Sequence, residues 1–143
     1  MPVKYSNPTI IEIADEIINK LLEYDFVIQR YDSYSSASVY LKLDFGVCNS
    51  IRISDHQGKG HLCYRYNIII GCSDNIIEEE YIRYYFNHEN VTGLINQILF
   101  DKVSKVQKYG LTRYKNYMAV NMNKHKNDEG FWKNAKTIIK NRT

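Results

Sequence analysis

The stretch from Ser50 to His56 holds the residue types most able to bind an anion. Alternate residues of a strand project to one face, so Arg52, Ser54 and His56 are predicted to lie side by side. Neighbouring strands would add further polar groups to that face: Ser36, Ser38, Tyr40 and Arg65. Because a guanidinium binds phosphate or carboxylate through two parallel hydrogen bonds, the set predicts a polar, cationic binding platform. An ordinary solvated face of an antiparallel sheet is the alternative.

Catalysis is the competing interpretation of the same stretch, with Asp55 and His56 as a metal-dependent nuclease pair at a strand end. Such a site needs further ligands from a following helix, and the sequence indicates no such helix. Ser54 and His56 alone do not make a nucleophile with an oriented base. We therefore expect no catalytic residue, and a binding protein instead of an enzyme.

Metal and cofactor sites are not expected either. The candidate ligands lack the paired C-x-x-C spacing of structural zinc sites: Cys48, His56, His61, Cys63 and Cys72. Gly58-Lys59-Gly60 lacks the frame of a phosphate-binding loop. The cysteines are expected to be free, buried thiols, as in a reducing compartment.

Charge is divided unevenly along the chain. Residues 1–101 hold 8 Lys or Arg and 14 Asp or Glu, whereas residues 102–143 hold 11 and 2. A basic segment of this kind indicates an anionic partner, possibly RNA or DNA. Its predicted binding residues are Lys115, Lys124, Lys126, Lys133 and Lys136. The aromatic residues among them could stack on bases or belong to the core: Tyr109, Tyr114, Tyr117, Phe131 and Trp132.

Two periodicities indicate the elements that position these residues. Residues 8–24 follow helical spacing, with Asn7 as N-cap and an apolar stripe from Ile10 to Leu22. Period-two alternation then predicts four antiparallel strands, or five if Tyr81 to Phe86 also pairs. The four strands begin near Phe26, Val39, Ile51 and Leu62.

Helical spacing returns in the last third of the chain. A stripe from Val91 to Val106 predicts a helix that ends at Gly110, a natural C-cap. Two further helices are predicted, one containing Tyr114 to Met122 and one beginning after Asp128. Residues 123–127 are predicted to form the loop between them.

An α+β fold follows, with an antiparallel sheet of four or five strands, an N-terminal helix and two or three C-terminal helices. The 143 residues, 44% hydrophobic and 24% charged, fit a single domain 1–143 with a basic helical C-terminal part, 111–143. No apolar run approaches the roughly 20 residues of a membrane-spanning helix, and no signal peptide is indicated. We therefore expect a cytoplasmic protein with no membrane partner.

Three segments together resemble a motif set of small phage and prophage proteins from low-GC bacteria: Ser36 to Tyr40, Ile51 to His56, and Tyr64 to Asn67. The Arg-x-Ser-Asx-His stretch is similar to one in a type II anti-CRISPR protein. The resemblance extends over roughly residues 36–110 and includes Tyr84-Tyr85-Phe86 and Tyr109-Gly110. It implies an anti-defence protein of the host cytoplasm that blocks a nucleic-acid-guided effector, such as a CRISPR complex, or its RNA. It implies no catalytic residues.

Other functions stay open at this point. The chain could be a stand-alone nucleic-acid-binding module, or a sponge that holds a charged signalling nucleotide on Arg52 and Arg65. A small nuclease using Asp55 and His56 is the enzymatic alternative. The partner could also be a protein that itself binds nucleic acid, with Glu78-Glu79-Glu80 imitating backbone phosphates.

Overall fold

The computed structural model describes residues 10–33, 38–54, 67–71, 83–86 and 88–139. Its helices are α1 (Ile10–Leu21), α2 (Val91–Tyr109), α3 (Leu111–His125) and the short α4 (Phe131–Asn134). Its strands are β1 (Ile28–Ser33), β2 (Ser38–Leu43), β3 (Asn49–Ser54), β4 (Asn67–Gly71), β5 (Arg83–Phe86) and β6 (Lys136–Ile138). Short 3-10 turns occupy Asp44–Gly46 and His88–Asn90.

The strands form one antiparallel sheet in the order β5-β4-β3-β2-β1-β6. The first five strands follow each other as a meander, and β6 returns from the C-terminal segment to pair with β1. The predicted α+β class is confirmed. The sheet has more strands than predicted because the C-terminal segment adds the sixth.

Helix α1 covers one face of this sheet. Its predicted apolar stripe is confirmed, since Ile13, Ile17 and Leu21 are fully buried. They pack in the same core cluster as the alternate residues of β1, β2 and β3 that face the helices: Ile28, Val39, Leu41, Leu43, Ile51 and Ile53. Asn7, the predicted N-cap, lies outside the described residues. Period 3.6 on the helix and period two on the strands therefore meet in one core.

Helices α2 and α3 complete the helical layer. Leu94 and Ile98 of α2 are buried in the core cluster, and so is Tyr114 of α3. The predicted break at Gly110 is confirmed: its φ of +87° suits glycine, and its N–H donates to the Val106 carbonyl at 2.8 Å. The basic C-terminal part thus packs on the fold and contributes to its core.

The prediction for residues 123–139 was partly wrong. Helix α3 continues to His125, and the helix predicted after Asp128 ends after four residues. The chain then becomes strand β6, where Thr137 and Ile138 are β-branched and favour extended backbone. Pairing with β1, which puts Ile138 opposite the buried Ile28, rewards that conformation. Among the described residues, no helix is long and apolar enough to cross a membrane.

Candidate functional site

The second face of the sheet, opposite α1, carries a polar set of side chains from four strands. We call it the polar face. The strand register places ten residues on it: Gln29, Tyr31, Ser33, Ser38, Tyr40, Lys42, Ser50, Arg52, Ser54 and Thr137. Two are cations, two are tyrosines and none is a carboxylate. In the same four strands the one carboxylate, Asp32, lies on the other face opposite Val39.

Four of the predicted platform residues meet on the polar face. Arg52 pairs with Tyr40 across β2 and β3, and Ser54 pairs with Ser38. The Arg52 Nε–H donates to Ser38 Oγ at 3.2 Å, and its guanidinium carbon lies 5.8 Å from the centre of the Tyr40 ring. Arg52 is exposed, whereas Ser38 and Ser54 are buried. Three further predicted members lie outside the described residues: Ser36, His56 and Arg65.

Aromatic rings extend this contact into a row that crosses the sheet. Tyr40 stacks on Tyr31 of β1, with centroids 6.4 Å apart and planes 25° apart. Phe131 of α4 meets Tyr31 edge-on at 6.3 Å. We call Phe131, Tyr31, Tyr40 and Arg52 the aromatic row. Its three rings are half-buried, so they are fixed by packing and still present surface to solvent.

Lys42 and Trp132 border one end of the aromatic row. The Lys42 ammonium lies 5.3 Å from the centre of the Phe131 ring and 5.5 Å from that of Trp132. Trp132 in turn stacks on His125 of α3, with centroids 4.5 Å apart and planes 13° apart. His125 Nδ1 lies 2.6 Å from Asp128 Oδ2, which holds the end of α3 against α4. The C-terminal segment thereby supplies one edge of the site.

The five predicted C-terminal lysines are all exposed, but they do not form one stripe. They are Lys115, Lys124, Lys126, Lys133 and Lys136. Lys124 and Lys126 lie about 200° apart around α3, one on each side of His125. Lys133 precedes the strand β6, contacts Glu129 at 3.3 Å and follows Trp132 in sequence. Lys124, Lys126 and Lys133 therefore adjoin the residues that border the aromatic row, whereas Lys115 lies further along α3.

Lys102 and Lys105, which belong to the basic segment by sequence, point into the protein. The Lys102 ammonium lies 2.9 Å from Asp44 Oδ2. The Lys105 ammonium, buried, donates to the carbonyls of Val47 and Cys48 at 2.7 and 2.8 Å. These two lysines stabilise the fold and add nothing to an anion-binding surface.

Both lysines hold the turn between β2 and β3. Asp44, Phe45 and Gly46 have φ values of +53°, +57° and +87°, a left-handed run that costs about 1–2 kcal/mol for each residue other than glycine. Side chains from α3 also hold this turn. Tyr114 Oη donates to Asp44 Oδ2 at 2.5 Å, and Asn121 Nδ2 donates to the Phe45 carbonyl at 3.0 Å. We call Asp44, Lys102, Lys105, Tyr114 and Asn121 the turn network.

Burial in this region perturbs two neutral acids. It raises the pKa of the Cys48 thiol, and the Asp44 carboxylate adds to that shift. Burial likewise raises the pKa of the Tyr114 hydroxyl, with Cys48 and Asp44 as further causes. Neither group ionises at neutral pH, so the turn network is a structural device and not a source of a nucleophile.

A pocket of about 440 Å³ lies on the helix side of the β1–β6 edge. Its lining residues are Arg30, Tyr31, Asp32, Asn134, Lys136 and Ile138. Arg30 contacts Asp32 at 2.8 Å and Asp15 at 2.6 Å. Burial alone would lower the pKa of Arg30, but the bonds to Asp32 and Asp15 outweigh it and raise the pKa. Because Arg30 is already neutralised by two carboxylates, this pocket is not the predicted anion site.

The alternatives that involve metal or catalysis rest on residues that are mostly not described. Asp55, His56, His61, Cys63 and Cys72 lie outside the described residues, as do Gly58-Lys59-Gly60 and Glu78-Glu79-Glu80. Within the described part of the chain, no group of three His, Cys, Asp or Glu side chains could hold a metal ion. Cys48 is buried in the core cluster, as predicted for a free thiol.

Sequence reasoning missed Tyr31 and Lys42 as members of the site. Tyr31 was predicted to begin a hairpin turn, yet it lies inside β1, directly opposite Tyr40. The alternation of β2 already placed Lys42 on the face of Ser38 and Tyr40, so that signal was available. Comparison with protein-family models, curated proteins and solved structures finds no match to this chain.

Proposed function

We propose that this chain binds nucleic acid through the polar face and acts on its partner by occupancy, without catalysing a reaction. One observation carries the proposal. On the polar face, Lys42 and Arg52 stand beside aromatic rings with no carboxylate among the ten residues, while Asp32 lies on the opposite face. Cations attract phosphates and rings accept stacked bases, which is the combination that nucleic acids require.

The C-terminal lysines extend this surface. Lys124, Lys126 and Lys133 adjoin His125 and Trp132, at the end of the aromatic row. These exposed lysines would contact phosphates on either side of the polar face. Phosphate contacts position a nucleic acid without reading its sequence, so we expect weak dependence on base composition.

Salt dependence tests this proposal. We expect a fluorescein-labelled oligonucleotide to bind with a slope of log K against log salt of roughly −2 to −4, because several phosphates are neutralised. Replacing Lys124, Lys126 and Lys133 together by alanine should weaken binding and make the slope less negative by about one unit for each lost contact. Fluorescence anisotropy at several salt concentrations measures both quantities.

Lys115→Ala is the matched control, since Lys115 is an exposed lysine of the same helix that lies away from the aromatic row. It should change the affinity less than twofold. Equal losses from Lys115→Ala and from single variants at Lys124 or Lys133 would count against a localised site. Cleavage of the oligonucleotide in the presence of Mg²⁺ would contradict a purely binding role.

The biological role we propose is anti-defence: the chain would occupy the nucleic-acid site of a host CRISPR effector, or its guide RNA. This role rests on the resemblance of its strand motifs. Expressed in a CRISPR-immune host, the chain should restore phage plaques. Arg52→Gln should abolish the rescue, whereas Lys20→Ala, at an exposed lysine of α1, should retain it. Failure of the wild-type chain to restore plaques would remove this role but leave nucleic-acid binding standing.

A further inference from the structure

The geometry points to single-stranded nucleic acid as the ligand, with unpaired bases stacked along the aromatic row. This inference rests on the proposed function and names its substrate class. Phosphate attraction alone would not distinguish single strands from duplexes, because both carry the same backbone charge group. The distinction comes from the rings.

The aromatic row offers a ring in each of three neighbouring segments. Phe131, Tyr31 and Tyr40 follow each other with centroid separations of 6.3 and 6.4 Å, and the Arg52 guanidinium continues the series 5.8 Å from Tyr40. Every base has a π-face, so such a row accepts successive bases of any sequence. Arginine adds a planar cation that stacks in the same manner.

The polar side chains around the row are arranged for phosphates. Lys42 lies at the Phe131 end and Arg52 at the other, so cations bracket the tyrosine pair. Tyr31 and Tyr40 are rigid because each packs against a neighbour on both sides. A strand that crosses the sheet along the row would therefore meet preformed rings and a cation at each end.

A duplex cannot use this surface in the same way. Its base faces are occupied by stacking within the helix, so an aromatic platform gains nothing from it except the phosphate contribution. Single strands gain both contributions. We therefore expect the chain to bind a single-stranded oligonucleotide more tightly than a hairpin duplex of equal charge.

Paired binding measurements test the inference. The probes are labelled dT and dA oligonucleotides, an RNA of the same length, and a hairpin duplex, all at one salt concentration. Tyr40→Ala should weaken single-strand binding about 5- to 150-fold, the loss expected for one stacked base, and change duplex binding less than twofold. Tyr40→Phe keeps the ring and should bind like the wild type.

Controls keep the result interpretable. Tyr24→Ala removes a tyrosine that is 45% exposed on another part of the molecule, and should have no effect on binding. Because Tyr40 is half-buried, Tyr40→Ala could disturb folding; Arg52→Gln, at an exposed position, tests the same row without that risk. Trp132 is the single tryptophan of the chain and borders the row, so its emission should change on binding a single strand.

The outcomes separate this inference from the proposed function. If single strand and duplex bind equally, with Tyr40→Ala and Arg52→Gln affecting both alike, the stacking inference is wrong and nucleic-acid binding survives. If neither probe binds at low salt, both proposals fail. A single-strand preference that Tyr40→Ala and Arg52→Gln abolish, and that Tyr24→Ala leaves intact, supports both.

Discussion

Replacing Asp44 by asparagine should lower the free energy of unfolding by about 3 kcal/mol, the lower end of the loss expected when one partner of a buried ion pair is removed. The Asp44 side chain is 1% exposed and lies 2.9 Å from the Lys102 ammonium. Asparagine keeps the size of the side chain and tolerates the positive φ of this position. The substitution therefore isolates the charge, and leaves Lys102 facing an uncharged amide. Chemical denaturation monitored by circular dichroism measures the change.

An exposed ion pair supplies the comparison. Asp128 has a side chain that is 52% exposed and contacts His125. Asp128→Asn should cost no more than about 1 kcal/mol, as is usual for exposed pairs. Similar losses from Asp44→Asn and Asp128→Asn would show that the turn network contributes no special stability. A full loss of cooperative unfolding in Asp44→Asn would indicate that the left-handed turn itself depends on the charge.

Raising the pH above about 8.5, the ordinary pKa of a cysteine, should destabilise the protein progressively. In the folded state burial raises the pKa of Cys48, so the unfolded chain loses this proton first. Stability is then fully present below the unfolded pKa and falls above it by about 1.4 kcal/mol per pH unit. Tyr114 behaves in the same way from its unfolded pKa of about 10, which doubles the slope there. At pH 11 the summed loss is about 4–5 kcal/mol.

Two variants assign the two parts of this profile. Cys48→Ala should flatten the profile between pH 8.5 and 10, because the group that ionises only on unfolding is gone. Tyr114→Phe should leave that part unchanged and halve the slope above pH 10, although it lowers stability at every pH by removing the bond to Asp44. Denaturation midpoints measured under reducing conditions from pH 7 to 11 provide the comparison. Parallel profiles for the wild type and Cys48→Ala would contradict the assignment.

The fold class was predictable from the sequence because each element has a clear period. The stripe of α1 and the alternation of β2 and β3 bury the residues that their patterns indicate. The register of β2 and β3 also brings Ser38, Tyr40, Arg52 and Ser54 together, as alternation required. Local periodicity decides these features, and the sequence displays it directly.

The features that sequence reasoning missed depend on contacts between distant segments. Lys102 and Lys105 are four and seven positions beyond Ile98, on the buried stripe of α2, but a lysine by itself does not reveal that carbonyls and a carboxylate await it. Strand β6 forms because β1 has an unpaired edge, which no pattern within residues 136–138 displays. The aromatic row likewise joins Phe131 to Tyr31 through that pairing.

Strand β6 also has a consequence for the order in which the protein can be completed during synthesis. A ribosome adds about 5–20 residues per second, so β1 emerges well before the segment that pairs with its outer edge. Until Ile138 reaches Ile28, β1 would be an open edge strand, and such edges readily pair with other chains. The aromatic row would lack Phe131 for the same interval. Nascent chains would therefore acquire their protection against self-association and their complete binding surface in one late step.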